Sequence, residues 1–240
     1  MKRIIQETED GSKTIFIEDW EESYHSKHGA VQEALHVFIQ NGLYHFIHTN
    51  NPIKIIEIGF GTGLNAFITL LEAEKNQCSI EYVGIEKFPV SKEEYIAISF
   101  FENVFQHYPE LHSRKEEFKK YYEKLFECDW ETWQNLTPYF NLKKIEEDFF
   151  NLKTIQENEF DLVYFDAFGS RVQPELWEKD LLEIVDSITK SSAIFTTYAA
   201  KGTVKRGLKS LGYKVEKRPG PPGKREMMVG LKNILLPPNS

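Results

Sequence analysis

The stretch IIEIGFGTGLN, Ile55 to Asn65, is an apolar run that breaks into a turn with glycines at 59, 61 and 63. Ile53 to Ile58 has almost no polar face, as expected of a strand covered by helices on both sides of a parallel sheet. Asn65 to Lys75 reads as the helix that follows. Glycines in such a turn let a nucleotide-like ligand lie against the backbone. The dinucleotide fingerprint GxGxxG needs its third glycine one place later. Here Leu64 stands in that place, and the carboxylate of Glu57 precedes the turn. A pyrophosphate would be repelled by that charge, whereas the α-ammonium and sulfonium of S-adenosylmethionine would be attracted. The spacing therefore disfavours an NAD-binding oxidoreductase and predicts Glu57 at the rim of a pocket for S-adenosylmethionine.

Working outward, the chain alternates strand and helix. Ile80 to Ile85 is a second strand ending at Glu86, and Ser91 to Phe105 is helical. "EFDLVYFDAF" holds a strand that is continuously apolar from Leu162 to Phe165 and ends at Asp166. A helix over Pro174–Ser187, the strand "SAIFTTY", a helix over Thr203–Leu211 and strands near Lys214 and Met227 complete the series. This order predicts an α/β, mostly parallel, doubly wound sheet. Residues 1–50 form an N-terminal extension: a hairpin over Arg3–Ile17 with Asp10-Gly11 as its turn, then a helix within "DWEESYHSKHGAVQEALHVFIQNGL" whose Val31, Leu35, Phe38 and Ile39 share one face. Residues 108–144 interrupt the rhythm as an insertion between strands 2 and 3. It carries a charged helix over Ser113–Phe126 and a hairpin turning near Thr137-Pro138, with "NLKKIEED" as a short third strand. All 240 residues are read as one domain.

Bulk properties narrow the function. No apolar run approaches the roughly 20 residues of a membrane span, and the N-terminus does not read as a signal peptide. This places the chain in the cytoplasm. Cys78 and Cys128 form no CxxC pair, so neither a disulfide framework nor a cysteine zinc site is expected. The HxxH pairs His25/His28 and His45/His48 lack the glutamate of an HExxH motif and read as surface histidines; no metal is expected. The net charge is −8, yet Lys201–Arg225 contains nine basic residues and one acid, Glu216, for a local +8. A basic end on an acidic body is the footprint of a localised polyanion contact.

Three further acids fall at or just after strand ends. Glu86 is placed to accept hydrogen bonds from a ribose diol, and Asp148 to meet an adenine amino group. Asp166 sits beside "AFGS", near the expected position of the sulfonium methyl. Methyl transfer is an in-line displacement in which the enzyme chiefly positions the acceptor. An amine acceptor must also lose a proton, and a carboxylate bonded to it can take or relay that proton. Asp166 is therefore the expected catalytic residue.

These residues carry a resemblance. "GFGTGLN" (59–65), "EKFP" (86–89), "FDAF" with P-E-L-W (165–177) and "RGLKSLGYKVEKRPGPPGKREMMVG" (206–230) resemble the methyltransferase of the bacterial tRNA wobble-uridine modification family, the MnmC-like methyltransferases. "YHSKHGAVQEALHVF" (24–38) is similar to that family's N-terminal segment. The resemblance implies a Rossmann-like class I methyltransferase that uses S-adenosylmethionine. It would methylate the exocyclic amine of 5-aminomethyl(-2-thio)uridine in the anticodon loop of tRNA. By position, Glu57, Gly59, Phe60, Gly61, Gly63, Asn65, Glu86, Lys87, Asp148 and Asp166 would surround the cofactor. Tyr24, His25 and Ser26 would lie near the pocket mouth, and Lys201, Lys205, Arg206, Lys217, Arg218, Lys224 and Arg225 would grip tRNA phosphates.

Two features depart from the family pattern. Better-known members are fused to a FAD-dependent oxidoreductase, for which a chain ending at Ser240 has no room. No FAD is therefore expected, and a separate enzyme would supply the aminomethyl group. "AFGSRVQP" also lacks the proline expected after "DAF". Three rivals remain open: a methyltransferase or an aminopropyltransferase acting on a small amine, and a non-catalytic RNA-binding protein with a vestigial fold.

Overall fold

The computed structural model describes residues 2–8, 11, 13–25, 29–49, 51–154 and 159–234. Three expectations fall outside them: Asp10 of the hairpin turn, Ser26 at the pocket mouth and His28 of the first histidine pair.

The strands are β1 (Arg3–Glu7), β2 (Lys13–Ile17), β3 (Glu22–Ser23), β4 (Ile53–Ile58), β5 (Ile80–Glu86), β6 (Gln134–Thr137), β7 (Phe140–Glu146), β8 (Phe160–Phe165), β9 (Thr189–Thr197), β10 (Lys214–Pro219) and β11 (Glu226–Lys232). The α-helices are α1 (Ala30–Ala34), α2 (Leu64–Asn76), α3 (Lys92–Ile98), α4 (Phe101–Phe105), α5 (Lys115–Glu127), α6 (Lys179–Ser187) and α7 (Gly202–Ser210). Eight strands form one sheet in the order β10-β11-β9-β8-β4-β5-β7-β6. The five central strands, β9 to β7, pair in parallel, and β11, β10 and β6 join through antiparallel pairs. Apolar clusters cover both faces, one containing Ile55, Phe67 and Tyr82 and the other Ile56, Val163 and Trp177. That two-sided burial is why β4 and β8 carry apolar residues on both faces, with Lys54, Glu57 and Asp161 as the exceptions.

Strand order reverses at the β4/β8 boundary, because the chain moves from β4 to β5 and β7 on one side and to β8 and β9 on the other. In open α/β sheets, ligands bind beyond the carboxyl ends of the strands at such a point. Here those ends are the glycine turn after β4 and Asp166 after β8.

Local differences from the sequence reading have physical causes. The helix expected to carry Val31, Leu35, Phe38 and Ile39 begins at Ala30, after Gly29 with φ 136°, and continues through a wider π turn to Gln40. Upstream, β3 pairs with β2 (Phe16 with Ser23, Ile17 with Glu22), so β1–β3 form a separate small sheet. The helix expected over Ser91–Phe105 breaks at Ser99, φ 37°, into α3 and α4. The hairpin turns where expected, between β6 and β7. The third strand, however, is seven residues long and pairs with β5 from Phe140 to Glu146. The insertion therefore overlaps the sheet instead of ending before it. Its helix α5 buries Phe118, Tyr122 and Leu125 in the core.

Candidate active site

A cavity of about 530 Å³ opens at the switch point. Its floor is built on one side chain of α2. The Asn65 amide donates from Nδ2 to Glu57 Oε1 at 2.7 Å and to Asp166 Oδ2 at 2.8 Å. An amide NH₂ carries two hydrogens, one for each carboxylate. The Tyr82 hydroxyl donates to the other Glu57 oxygen at 2.8 Å. Two carboxylates thus converge on one neutral donor, and each disfavours the charge of the other. Burial first, then the charge of Asp166, holds Glu57 well above the usual carboxylate range. Burial pushes Asp166 up to about 7, with the charge of Glu33 as second cause; the Asn65 bond and Lys224 oppose it.

This geometry corrects the expectation for Glu57. It is 1% exposed and is not part of the cavity wall. The side chain alternates inward with Ile55, onto the face that holds Tyr82 and Asn65. It therefore acts beneath the site by orienting Asn65. Asp166, Asn65, Gly59, Phe60, Gly61, Glu86 and Lys87 do line the cavity. Gly59 has φ 94°, and a Cβ there would lie 2.7 Å from the Asp166 carbonyl oxygen, so the turn and the end of β8 touch backbone to backbone.

At the end of β5, Glu86 accepts the Gly61 N–H at 3.0 Å and the Phe88 N–H at 2.9 Å, one on each oxygen. It thereby ties the second strand end to the glycine turn. Asp148 departs from expectation. Its carboxylate accepts from Lys87 Nζ at 2.6 Å and from the Phe150 N–H at 3.0 Å, and it is absent from the cavity wall, where its neighbour Phe149 stands. The Lys87 bond, first among the causes, holds Asp148 below its ordinary pKa.

The N-terminal extension roofs the cavity. Tyr24 and Trp20 meet Phe168 edge to face at centroid distances of 4.8 and 5.2 Å. His25 shares a hydrogen bond with Thr62 Oγ1 at 2.9 Å through Nε2, which ties the extension to the glycine turn. Arg171 Nη2 donates to the Glu21 carbonyl at 2.9 Å. The loop after Asp166 is fixed from behind: the Tyr198 hydroxyl donates to the Ala167 carbonyl at 2.8 Å and Trp177 Nε1 to the Phe168 carbonyl at 2.7 Å. These bonds define the loop that the missing proline left open.

The basic residues divide. Lys217 pairs with Glu226 at 2.6 Å and Arg218 with Glu216 at 3.0 Å. Lys224 reaches the cavity itself, pairs with Glu33 and lies 3.8 Å from the centroid of the Tyr198 ring. Lys201 and Arg206 are exposed, Lys205 is half-buried, and Arg225 is 91% exposed. Glu33 is the main residue that sequence reasoning missed. Nothing marks it within the amphipathic run of α1. Among the described residues no group of three or more His, Cys, Asp or Glu side chains is arranged to hold a metal ion, and no helix is long and apolar enough to cross a membrane.

The parallel sheet, the glycine turn at its switch point and acids at three strand ends or under them define a class I methyltransferase fold. Comparison with known proteins names the family. The model of the S-adenosyl-L-methionine-dependent methyltransferase family matches residues 109–233, and the chain belongs to that family. It is similar to the tRNA 5-methylaminomethyl-2-thiouridine biosynthesis bifunctional protein MnmC of Leptospira borgpetersenii serovar Hardjo-bovis, with 33% identity over 218 residues, covering 88% of this chain and 32% of the relative. The chain thus spans about a third of the length of the curated relatives it matches. Among solved structures, MNMC2 from Aquifex aeolicus superposes with a TM-score of 0.75 at 24% identity, covering all of this chain and 73% of the other. Spermidine synthase from Thermotoga maritima superposes at 0.52 and 12% identity, over 97% of this chain and 73% of that one. These two likenesses concern the fold.

Proposed function

We propose that this chain transfers the methyl group of S-adenosylmethionine to the exocyclic amine of 5-aminomethyl(-2-thio)uridine at the wobble position of tRNA, giving the 5-methylaminomethyl form. The observation that carries the reading is Asp166. It stands at the switch-point cavity beside the glycine turn, with a carboxyl pushed up to about 7. The relatives' names, which include 5-methylaminomethyl-2-thiouridine biosynthesis, point to the same amine. The cavity suits the methyl donor: a glycine turn whose Gly61 leaves no side chain between the backbone and Tyr24, and the Glu86 carboxylate in the wall for a diol. When bound, S-adenosylmethionine supplies an electrophilic methyl on a sulfonium. The chain's own part is to hold the amine. Asp166 and Glu33 attract an aminomethyl group, which is cationic before reaction, and Asp166 accepts the proton as the lone pair becomes available. A pKa near 7 suits a base that must work at neutral pH. Acting where tRNA is found, the enzyme would be cytoplasmic.

The test is mass spectrometry of nucleosides from tRNA that lacks the final methyl, after incubation with protein and S-adenosylmethionine. One added methyl at the wobble uridine supports the reading. Transfer to putrescine or another small amine, with tRNA untouched, would replace it by the small-amine alternative. A carboxymethylaminomethyl substrate should remain unchanged, because the amine is expected beside Asp166 and Glu33, where the substrate's extra carboxylate would be repelled. The aminomethyl group would then come from a separate enzymatic step, and protein that converted the carboxymethyl form would contradict this.

The basic segment has its own expected result. Lys217 and Arg218 already have acidic partners, so the exposed Lys201 and Arg206, with the half-buried Lys205 between them, are the stronger phosphate ligands. Replacing Lys201, Lys205 and Arg206 by Ala together should weaken tRNA binding and flatten its salt dependence by roughly 0.7–0.9 logarithmic units for each phosphate no longer neutralised. Affinity for S-adenosylmethionine should stay at the wild-type value. An unaltered salt slope in the triple variant would make the patch solvated surface only.

A further inference from the structure

A second cavity, of about 410 Å³, adjoins the Asp166 cavity and shares Gly169, Tyr198 and Lys224 with it. Its remaining wall includes Trp177, Ala199, Ala200, Lys201, Arg225 and Glu226. The two differ in charge around their centres. The first sets Asp166 and Glu33 together, while Arg3, Lys87 and Arg171 also stand in its wall. The second presents Lys201 and Arg225, both exposed, and its one acid, Glu226, is held by Lys217 at 2.6 Å, with Arg225 Nη2 at 3.9 Å. Lys224 stands at the boundary. A ligand reaching from Asp166 into the second cavity would therefore meet carboxylates first and cations after them.

The second cavity is poorly suited to a base. Recognition of an unpaired base calls for an aromatic face on which it can stack. Trp177 is buried, and its indole N–H is committed to the Phe168 carbonyl. The face of Tyr198 is already covered by the Lys224 ammonium, and its hydroxyl is committed to the Ala167 carbonyl. What remains available is cationic: an ammonium and a guanidinium, the latter suited to bidentate contact with phosphate oxygens.

We propose that this second cavity is the subsite for the phosphodiester flanking the nucleotide whose base enters the Asp166 cavity, with Lys201 and Arg225 as its phosphate ligands. The proposal rests on the reading of the acceptor as a nucleotide within RNA, and adds how that nucleotide is gripped. An aminomethyl nucleotide carries an amine on the base and phosphates on the sugar. Asp166 with Glu33 in the first cavity, and Lys201 with Arg225 in the second, present the opposite charges in the same sequence. Lys224 links them, since it can exchange Glu33 for the incoming phosphate and so release Glu33 to the substrate amine.

The experiment compares binding of uridine and of uridine 3′,5′-bisphosphate to the protein saturated with S-adenosylhomocysteine, by isothermal titration. The wild-type protein should bind the bisphosphate at least about tenfold more tightly, the lower bound for one hydrogen bond to a charged group. In Lys201→Ala/Arg225→Ala that preference should fall to near one. Lys209→Ala/Lys214→Ala, which removes two cations of the same segment outside this cavity, should keep it. A preference that survives the first pair, is lost equally in the second, or is absent from the wild type overturns the proposal. No methylation step enters the measurement. A protein that fails to methylate aminomethyluridine tRNA but shows the expected pattern would lose the proposed reaction and keep the phosphate subsite.

Discussion

Asp166→Asn should lower kcat by about 10²-fold or more, the range for loss of a general base, and should change affinity for S-adenosylmethionine little. Asparagine keeps the size of the side chain and one oxygen that can accept the Asn65 amide now donated at 2.8 Å. It cannot take a proton. The pH profile separates a chemical from a structural role. Asp166 works only when ionised, and its carboxyl is pushed up to about 7, first by burial and then by Glu33. The wild-type rate should therefore climb with pH to a limb near 7 and level above it. In the variant this limb should vanish, leaving a slower rise that follows deprotonation of the amine by solvent. Glu33→Gln removes the charge that raises Asp166, so the limb should move to lower pH. Near-normal turnover of Asp166→Asn at neutral pH would make Asp166 structural.

The same shift has a stability consequence of defined sign. A carboxyl whose pKa is higher folded than unfolded holds its proton longer in the native state. The associated stability is fully present below the unfolded pKa and is lost as pH rises through the folded one. For Asp166 the window runs from about 4, its ordinary value, to about 7. Urea unfolding at the two ends of this window should show the wild type losing stability and Asp166→Asn losing less. A variant that becomes relatively more stable at neutral pH while losing turnover is the signature of a charge kept for function.

The strand ends were legible because burial on both faces leaves the sequence no other pattern. Leu162–Phe165 is a continuous apolar run closed by Asp166 at the ligand-binding edge, and Ile53–Ile58 carries isoleucine on both faces, interrupted only by Lys54 and Glu57. The same lack of alternation hid the direction of Glu57. With isoleucine on both faces of β4, nothing in the sequence distinguishes an acid at the rim from one beneath the floor. Asp148 departed for another reason: it lies two residues beyond the end of β7, and Lys87 captures its carboxylate. The basic segment was legible as composition only. Its pairs depend on the tertiary fold, and Lys224 meets Glu33 across 191 positions of sequence. In the N-terminal extension the helix around Val31–Ile39 was legible from its apolar face, whereas the two-residue strand β3, which pairs with β2, was not.

The largest effect on cofactor binding is expected at Gly61. The residue has φ 53°, and a Cβ there would lie 3.2 Å from Tyr24 Cδ1, between the turn and the roof of the cavity. Valine adds two methyl groups beyond that Cβ, and β-branching makes a positive φ still less favourable. The side chain would occupy the space beside the backbone that the ligand needs, and would displace the N–H that Glu86 accepts at 3.0 Å. Gly61→Val should therefore abolish measurable binding of S-adenosylmethionine by isothermal titration. Glu86→Ala is the graded companion. It leaves the cavity open but removes the ribose acceptor, and should weaken binding by about 1.5–3 kcal/mol, the range for hydrogen bonds to a charged group. Gly59→Ala should fail differently. Its Cβ would meet the Asp166 carbonyl oxygen at 2.7 Å, and that oxygen belongs to backbone that has little room to move. Thermal unfolding distinguishes the two glycines: Gly59→Ala should melt well below the wild type, whereas Gly61→Val should lose its ligand with a smaller drop. If folded Gly61→Val and Glu86→Ala both bind S-adenosylmethionine as the wild type does, the cofactor does not lie along this turn, and the assignment of the cavity falls with it.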